Sequence, residues 1–235
     1  MGGRGGGRAR LAAVVSSEVR ALALCLVFAS AVGGCATSHY ARPLGRGNAV
    51  AQASVGGPLD SLSGTPIAAP ILEVGGGYGV TDRWDVFARA DVTSAAYGDL
   101  HLEPGAAFHP VVREGGPVPT VTLAGSVHLM TDFEAARVGP QLSALAAWRV
   151  GASRRHLVYV GADAGTLVPG RVRALVGPLA GGELRVGRRA GLVLEASWLS
   201  PWYEVRPLAP TWISPGDHGY VLLLLGCNIY FGGVK

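Results

Sequence analysis

The stretch Trp84-Asp85-Val86-Phe87-Ala88-Arg89-Ala90-Asp91-Val92 decides the fold. Trp84, Val86, Ala88, Ala90 and Val92 fall on one side of an extended chain, and Asp85, Phe87, Arg89 and Asp91 fall on the other. A period of two is the period of a β-strand, and here it sets an apolar face against one that carries three charges.

The same arrangement recurs on both sides of this stretch. In 99–109, Leu100, Leu102, Ala106 and Phe108 oppose Asp99, His101, Glu103 and His109. In 138–150, Val138, Leu142, Ala144, Ala146, Trp148 and Val150 oppose Gln141, Ser143 and Arg149, and in 172–186 Val176, Ala180 and Leu184 oppose Arg173, Glu183 and Arg185. Residues 120–130 alternate in the same way, with Ser126 and His128 on the polar side. Less regular runs at 46–56, 67–79, 157–167, 191–199 and 219–231 complete a set of about ten strands. Glycine, proline, aspartate and serine clusters separate them.

Connections alternate in length. Residues 80–83, 112–117, 151–155 and 187–190 are short, whereas the other series includes 57–66 and the longest, 201–218. An even number of strands of nine or more residues, joined alternately by short turns and longer loops, predicts an all-β fold: an antiparallel up-and-down β-barrel of about ten strands, with eight to twelve compatible. Both chain ends then lie at the short-turn rim. Trp84, Trp148, Tyr230 and Phe231 fall near that rim, and Trp198, Trp202, Tyr203 and Tyr220 flank the long loop. Alternation alone does not separate a membrane barrel from a soluble periplasmic barrel or sandwich that turns its apolar face inward around an apolar ligand. The two readings assign every side chain oppositely.

Upstream of the strands, Val32-Gly33-Gly34-Cys35 closes an apolar run from Ala21, behind Arg4, Arg8, Arg10 and Arg20. This resembles a bacterial lipoprotein signal, in which the leader is cleaved and the cysteine thiol is acylated. The resemblance implies a signal peptide over 1–34, a lipidated N-terminal segment over 35–45 and a barrel domain over 46–235. Cys35 would carry the anchor into membrane lipid beside the first strand. Ala36, in place of aspartate, favours the outer membrane. Loss of the leader removes four arginines and one glutamate, so the formal net charge falls from +4 to +1 and nucleic acid is not expected as a partner. Cys25 leaves with the leader and Cys35 is acylated, so Cys227 stands alone and no intrachain disulfide is expected.

Gly77-Tyr78-Gly79-Val80-Thr81-Asp82-Arg83 is similar to a hairpin common in small bacterial outer-membrane β-barrel proteins, and Pro43-Leu44-Gly45-Arg46-Gly47-Asn48 is similar to the opening of lipoproteins that carry such barrels. The resemblance implies a lipid-anchored barrel in the outer membrane of a diderm bacterium, held from the periplasmic side. The chain departs from the usual terminal aromatic, ending Phe231-Gly232-Gly233-Val234-Lys235.

With the apolar faces outward, Asp85, Arg89, Asp91, His101, Glu103, His109, Arg149, Asp163, Arg173, Glu183, Arg185 and Glu195 point inward together with Gln141. Signs nearly balance in this set. It predicts a salt-bridged lumen, plugged by its own side chains, and a structural or interaction role. His101-x-Glu103 and Ser126-x-His128 could project into one interior region, which is what the third alternative, an envelope-lipid-modifying enzyme, rests on. Such an enzyme needs its Ser and His at the lipid-facing rim, whereas these pairs sit mid-strand, and no oxyanion hole is recognisable. No catalytic residue, cofactor or metal is assigned. Loop 201–218, rich in proline and aromatics, is a candidate contact for another envelope protein or an external ligand.

Overall fold

The structure is a computed structural model, and it describes residues 39–62, 65–68, 71–152, 155–167, 173–204 and 213–232. The described strands are β1 (Ala49–Leu62), β2 (Thr65–Ala68), β3 (Ile71–Gly79), β4 (Trp84–Asp91), β5 (Leu100–Val111) and β6 (Thr120–Thr131). They continue with β7 (Ala136–Val150), β8 (His156–Leu167), β9 (Arg173–Arg185), β10 (Ala190–Glu204) and β11 (His218–Phe231). From β3 to β11 each pairs antiparallel with the next in sequence, β2 and β3 both pair antiparallel with β1, and β1 pairs with β11 from Ala49↔Phe231 to Pro58↔Leu222, so the sheet closes on itself. β2 and β3 lie end to end along β1, β2 on Leu59–Leu62 and β3 on Ala49–Gly56. They make one stave between them, and the barrel has ten.

The wall is longer than the hydrophobic pattern alone requires. β1 runs on through residues 57–62, which sequence reading gives to a loop, because Leu59 to Leu62 find partners in β2. Residues 92–96 form a short helix whose N-terminus is capped by the Asp91 carboxylate, accepting from the Ser94 N–H at 2.9 Å. At the opposite rim the Val80–Arg83 turn is held by Thr81, whose hydroxyl accepts from the N–H groups of Arg83 and Trp84 at 3.1 and 2.9 Å.

Side-chain orientation follows the alternation of β4. Trp84 and Val86 are 49% and 45% exposed on the outside, while Asp85, Phe87, Arg89 and Asp91 are buried inside. Leu102, Leu123, Val138, Leu142, Val158, Val160, Leu184 and Leu194 are exposed on the other staves, giving an outward apolar belt around the barrel. The interior carries the charge. This distribution is the reverse of the one the apolar-ligand alternative needs.

The core is not made by the wall alone. The chain before β1, His39 to Asn48, enters at the short-turn rim, where the Gly47 N–H donates to Gly79 O at 2.8 Å and the Gly79 N–H to Asn48 O at 2.9 Å. A Cβ on Gly79 would sit 2.0 Å from the Gly45 carbonyl oxygen, so only glycine lets the entering chain lie this close. Further in, Tyr40 and Leu44 pack with Val50, Phe87, Ala107 and Tyr230, and Ala41 packs with Leu145, Ala147, Leu157, Tyr159 and Leu179. Both apolar clusters of the lumen therefore depend on the inserted segment. Burying Tyr40 and Leu44 stabilises it by about 1.5–3 kcal/mol for each side chain.

Candidate functional site: the occupied lumen

Polar contacts from His39, Arg42 and Leu44 hold the deeper part of the inserted segment to the wall. The His39 ring places Nδ1 2.8 Å from Glu195 Oε1 and Nε2 3.0 Å from Asp163 Oδ1. Carboxylates only accept, so both ring nitrogens donate and the imidazole carries both protons. Arg42 Nη2 donates to Glu183 Oε1 at 2.8 Å, with both side chains at least nine-tenths buried. The Leu44 N–H donates to Asp85 Oδ2 at 3.0 Å.

Glu183 is the most heavily used of these acceptors. Besides Arg42 it takes Asn228 Nδ2 at 3.2 Å, the Tyr230 hydroxyl, and Arg185 Nη1 at 3.5 Å. Arg42 and Arg185 lie over opposite reaches of the Tyr230 ring, 4.5 and 4.2 Å from its centroid. Tyr230 is thus an inward residue, 4% exposed, and not a member of an outer aromatic girdle. Glu195 similarly takes the Tyr159 hydroxyl at 2.7 Å.

A second network spans β4 to β7. Arg89 Nη1 donates to Glu103 at 3.1 Å with both side chains buried, and its guanidinium lies 4.5 Å from the Phe87 ring centroid. Asp85 Oδ2 meets His109 Nε2 at 2.9 Å, and His109 Nδ1 meets Thr122 Oγ1 at 2.9 Å. This order of groups is that of a nucleophilic relay. Thr122 and His109 are fully buried and Asp85 is 1% exposed, so no substrate reaches them, and the relay ties three strands together. Toward the long-loop rim, His101 Nε2 and His128 Nδ1 are 3.0 Å apart and His128 Nε2 donates to Gln141 Oε1 at 2.6 Å. Asp91 Oδ2 stands 3.9 Å from His101 Nδ1.

The sequence-predicted set therefore divides. Asp85, Arg89, Asp91, Glu103, His109, Asp163, Glu183, Arg185 and Glu195 are inside, in the networks just described. His101 is partly buried near the long-loop rim and Arg149 half-buried toward the short-turn rim. Arg173 begins β9, but its side chain is outside the described residues, as are Cys35 and the 1–34 leader. Ser126 and His128 do not form a pair: Ser126 lines a small cavity with Glu103 and His39, while His128 bonds His101 and Gln141. Cys227 is disulfide-bonded, which corrects the expectation that it stands alone, and its partner lies outside the described residues. Among the described residues no cluster of three or more histidine, cysteine and acidic groups is arranged to hold a metal ion.

Sequence reasoning missed the occupant of the lumen and one wall carboxylate. Glu73 on β3 is 7% exposed and registers opposite Ser54 and Asp91. With it the buried wall carboxylates among the described residues number seven, against two guanidinium groups, those of Arg89 and Arg185. The balance expected inside does not hold for the wall alone. His39 and Arg42 of the inserted segment make up part of the difference.

No protein-family model matches the chain, and no curated protein matches it by sequence. Among solved structures, the chain is similar to the translocator domain of autotransporter NalP from Neisseria meningitidis, at a TM-score of 0.45 and 10% identity over 95% of this chain and 98% of that one. It is also similar to the COG4313 outer membrane channel from Pseudomonas putida F1, at a TM-score of 0.45 and 9% identity over 84% of this chain and all of the other. The outer membrane protein OprG from Pseudomonas aeruginosa gives a TM-score of 0.34 at 10% identity over 82% of this chain and all of the other. Scores this low carry no function across, and the chemistry of the barrel has to supply it.

Proposed function

We propose that the chain is an integral β-barrel of the outer membrane of a diderm bacterium, with a structural or interaction role, no enzymatic activity and a lumen filled by its own N-terminal segment. One observation carries this reading: the belt of half-exposed leucine, valine and tryptophan side chains outside, around an interior of buried ion pairs. In water each such side chain forgoes about 1.5–3 kcal/mol of burial, and a continuous ring of them is an aggregation hazard. Hydrocarbon removes that cost. The pairing of β11 with β1 closes the ring, so every stave is paired on both sides along its main run, the condition for β-structure in lipid, and only the short β2 extension has β1 as its single partner. Trp84 stacked on Phe108 at 4.8 Å near one rim, and Trp198 and Trp202 near the other, suit the two interfaces.

Acylation of Cys35, with the anchor on the periplasmic side, is proposed on the strength of the leader's resemblance for the mature chain; the only other cysteines are Cys25 and Cys35, so that form requires the Cys227 disulfide to be absent. The depth of His39 sets a condition on it. Glu195 lies five residues up β10 from Ala190, about 17 Å along the strand or about 13 Å along the barrel axis at a tilt of about 40°, and the four residues from Cys35 to His39 reach about 14 Å at most. An acyl group at the short-turn rim therefore needs an almost straight path back from His39.

Single cysteines at Val86, Ala88, Arg89 and Asp91, labelled with a lipid-quenched fluorophore in vesicles, test the membrane reading. Quenching at 86 and 88 but not at 89 and 91 supports it. Absence of quenching at all four positions sinks it.

A further inference from the structure

The wall of the lumen is acidic, and the segment that fills it is cationic. Asp163, Glu183 and Glu195 receive His39 and Arg42, while Glu73 Oε1 has no hydrogen-bond partner although the residue is more than nine-tenths buried. Around Glu73 the Tyr40 hydroxyl, Ser54 Oγ and Arg89 Nε are buried and unpartnered as well. So many unsatisfied polar atoms along one face of the lumen mark a hydrated interior. On one side the wall behind the segment is small, where a Cβ on Gly77 would meet Leu44 and Tyr40 at 3.2 and 3.3 Å and Ala107, Ser126 and Ser143 lie nearby, while Phe87, Tyr159 and Tyr230 line the rest. The small side chains cannot fill the volume that Tyr40, Arg42 and Leu44 occupy. Withdrawal of the segment would leave a passage, lined by carboxylates.

We propose that residues 39–47 are a displaceable plug over a cation-selective path through the barrel, with small monovalent cations as the permeant class. The inference rests on the membrane reading above and adds a transport activity to it. Selectivity comes from the wall: once the cations of the plug leave, Asp163, Glu183, Glu195 and Glu73 face the path with Arg185 and Arg89 as the opposing charges. The plug is held by charge pairs, by the Leu44 and Gly47 N–H groups donating to Asp85 and Gly79, and by the apolar side chains of Tyr40, Ala41 and Leu44; none of these belongs to the ladders that join the staves.

Planar-bilayer recording of the full chain in a KCl gradient is the test. Wild type is expected to stay closed, and the His39→Ala/Arg42→Ala variant to open with K+ preferred over Cl− by about tenfold, the low end of what focused charge gives. Adding Asp163→Asn and Glu195→Gln to that variant should bring the preference down several-fold. Inserted variants that remain closed, or open with a preference for Cl−, overturn the proposal. Insertion is scored separately by lipid quenching of Trp84, and a chain that fails to insert removes the membrane reading together with the path. Ala41→Cys provides a measure that leaves every plug contact in place. An impermeant thiol reagent should label position 41 in the folded barrel over minutes to hours, and complete protection until unfolding refutes a displaceable plug.

Discussion

Replacement of Glu183 by alanine is the sharpest test of how the segment is held. Arg42 Nη2 and Glu183 Oε1 are 2.8 Å apart with side-chain exposures of 9% and 6%, and Arg185, Asn228 and Tyr230 share the same carboxylate. Removing one member of a buried pair costs about 3–5 kcal/mol, because the other charge stays buried without its partner. Here two guanidinium groups and two neutral donors lose one acceptor, which puts Glu183→Ala near the top of that range, about 4–5 kcal/mol. That is about a thousandfold in the ratio of folded to unfolded barrel. Arg42→Ala should cost a similar amount, and the double variant should fall short of the sum by about 2–3 kcal/mol. Urea unfolding in phosphatidylcholine vesicles, followed by tryptophan emission and by the mobility of the unheated barrel in detergent gels, measures all three. A Glu183→Ala barrel within about 1 kcal/mol of wild type would refute the reasoning, as would strictly additive singles.

Other expectations follow from other parts of the barrel. Leu142→Arg and Leu194→Arg, at outward positions 66% and 56% exposed, should cost about 2–4 kcal/mol each in vesicles; in a water-facing wall they would be neutral, so an unchanged urea midpoint contradicts the membrane belt. Gly105→Ala puts a methyl group 2.3 Å from the Phe87 ring and 2.8 Å from Gly125 O, and should destabilise by about 1–3 kcal/mol in the same assay, with Phe87→Leu relieving part of it. The contribution of His39 depends on its second proton, so the stability difference between wild type and His39→Gln should be complete near pH 5–6 and shrink as the pH rises; a difference that grows with pH reverses the assignment. Mass analysis of the mature N-terminus reads the anchor directly: acylation of Cys35 and a disulfide from Cys227 to Cys35 are mutually exclusive, and a free, unacylated Cys35 removes the lipoprotein reading.

How much of this was legible beforehand depends on whether a feature is local. The period of two in β4, β5 and β7 arises from one boundary between an apolar and a polar surroundings, and each strand records it by itself. The strand ends were accordingly close, and the count of staves came out at ten. β1 ran longer than expected because residues 57–62 contain Gly57 and Pro58, turn residues by composition, and their pairing with β2 depends on a second segment. Glu73 was overlooked because its neighbours Gly75 to Gly77 erase the alternation that would have placed it. The plug was illegible for a stronger reason. His39-Tyr40-Ala41-Arg42-Pro43-Leu44 has no period, and what makes it a lumen filler is complementarity to Asp163, Glu183 and Glu195, which come from three other strands. The trace it leaves in the sequence is the excess of inward acids, Asp85, Asp91, Glu103, Asp163, Glu183 and Glu195, over inward arginines.

The path of the chain before β1 also bears on the order of events when the barrel is made. His39 lies deep inside a closed ring of ten staves, and the chain continues from it toward the first residue of the mature protein. The cavities that remain beside the segment are only about 10 Å³. A segment that lies in place when β11 reaches β1 offers the closing wall its counter-charges. Its cationic side chains then serve the growing sheet as a mandrel on which Asp163, Glu183 and Glu195 align, and the ten pairs from Ala49↔Phe231 to Pro58↔Leu222 form as the final seam.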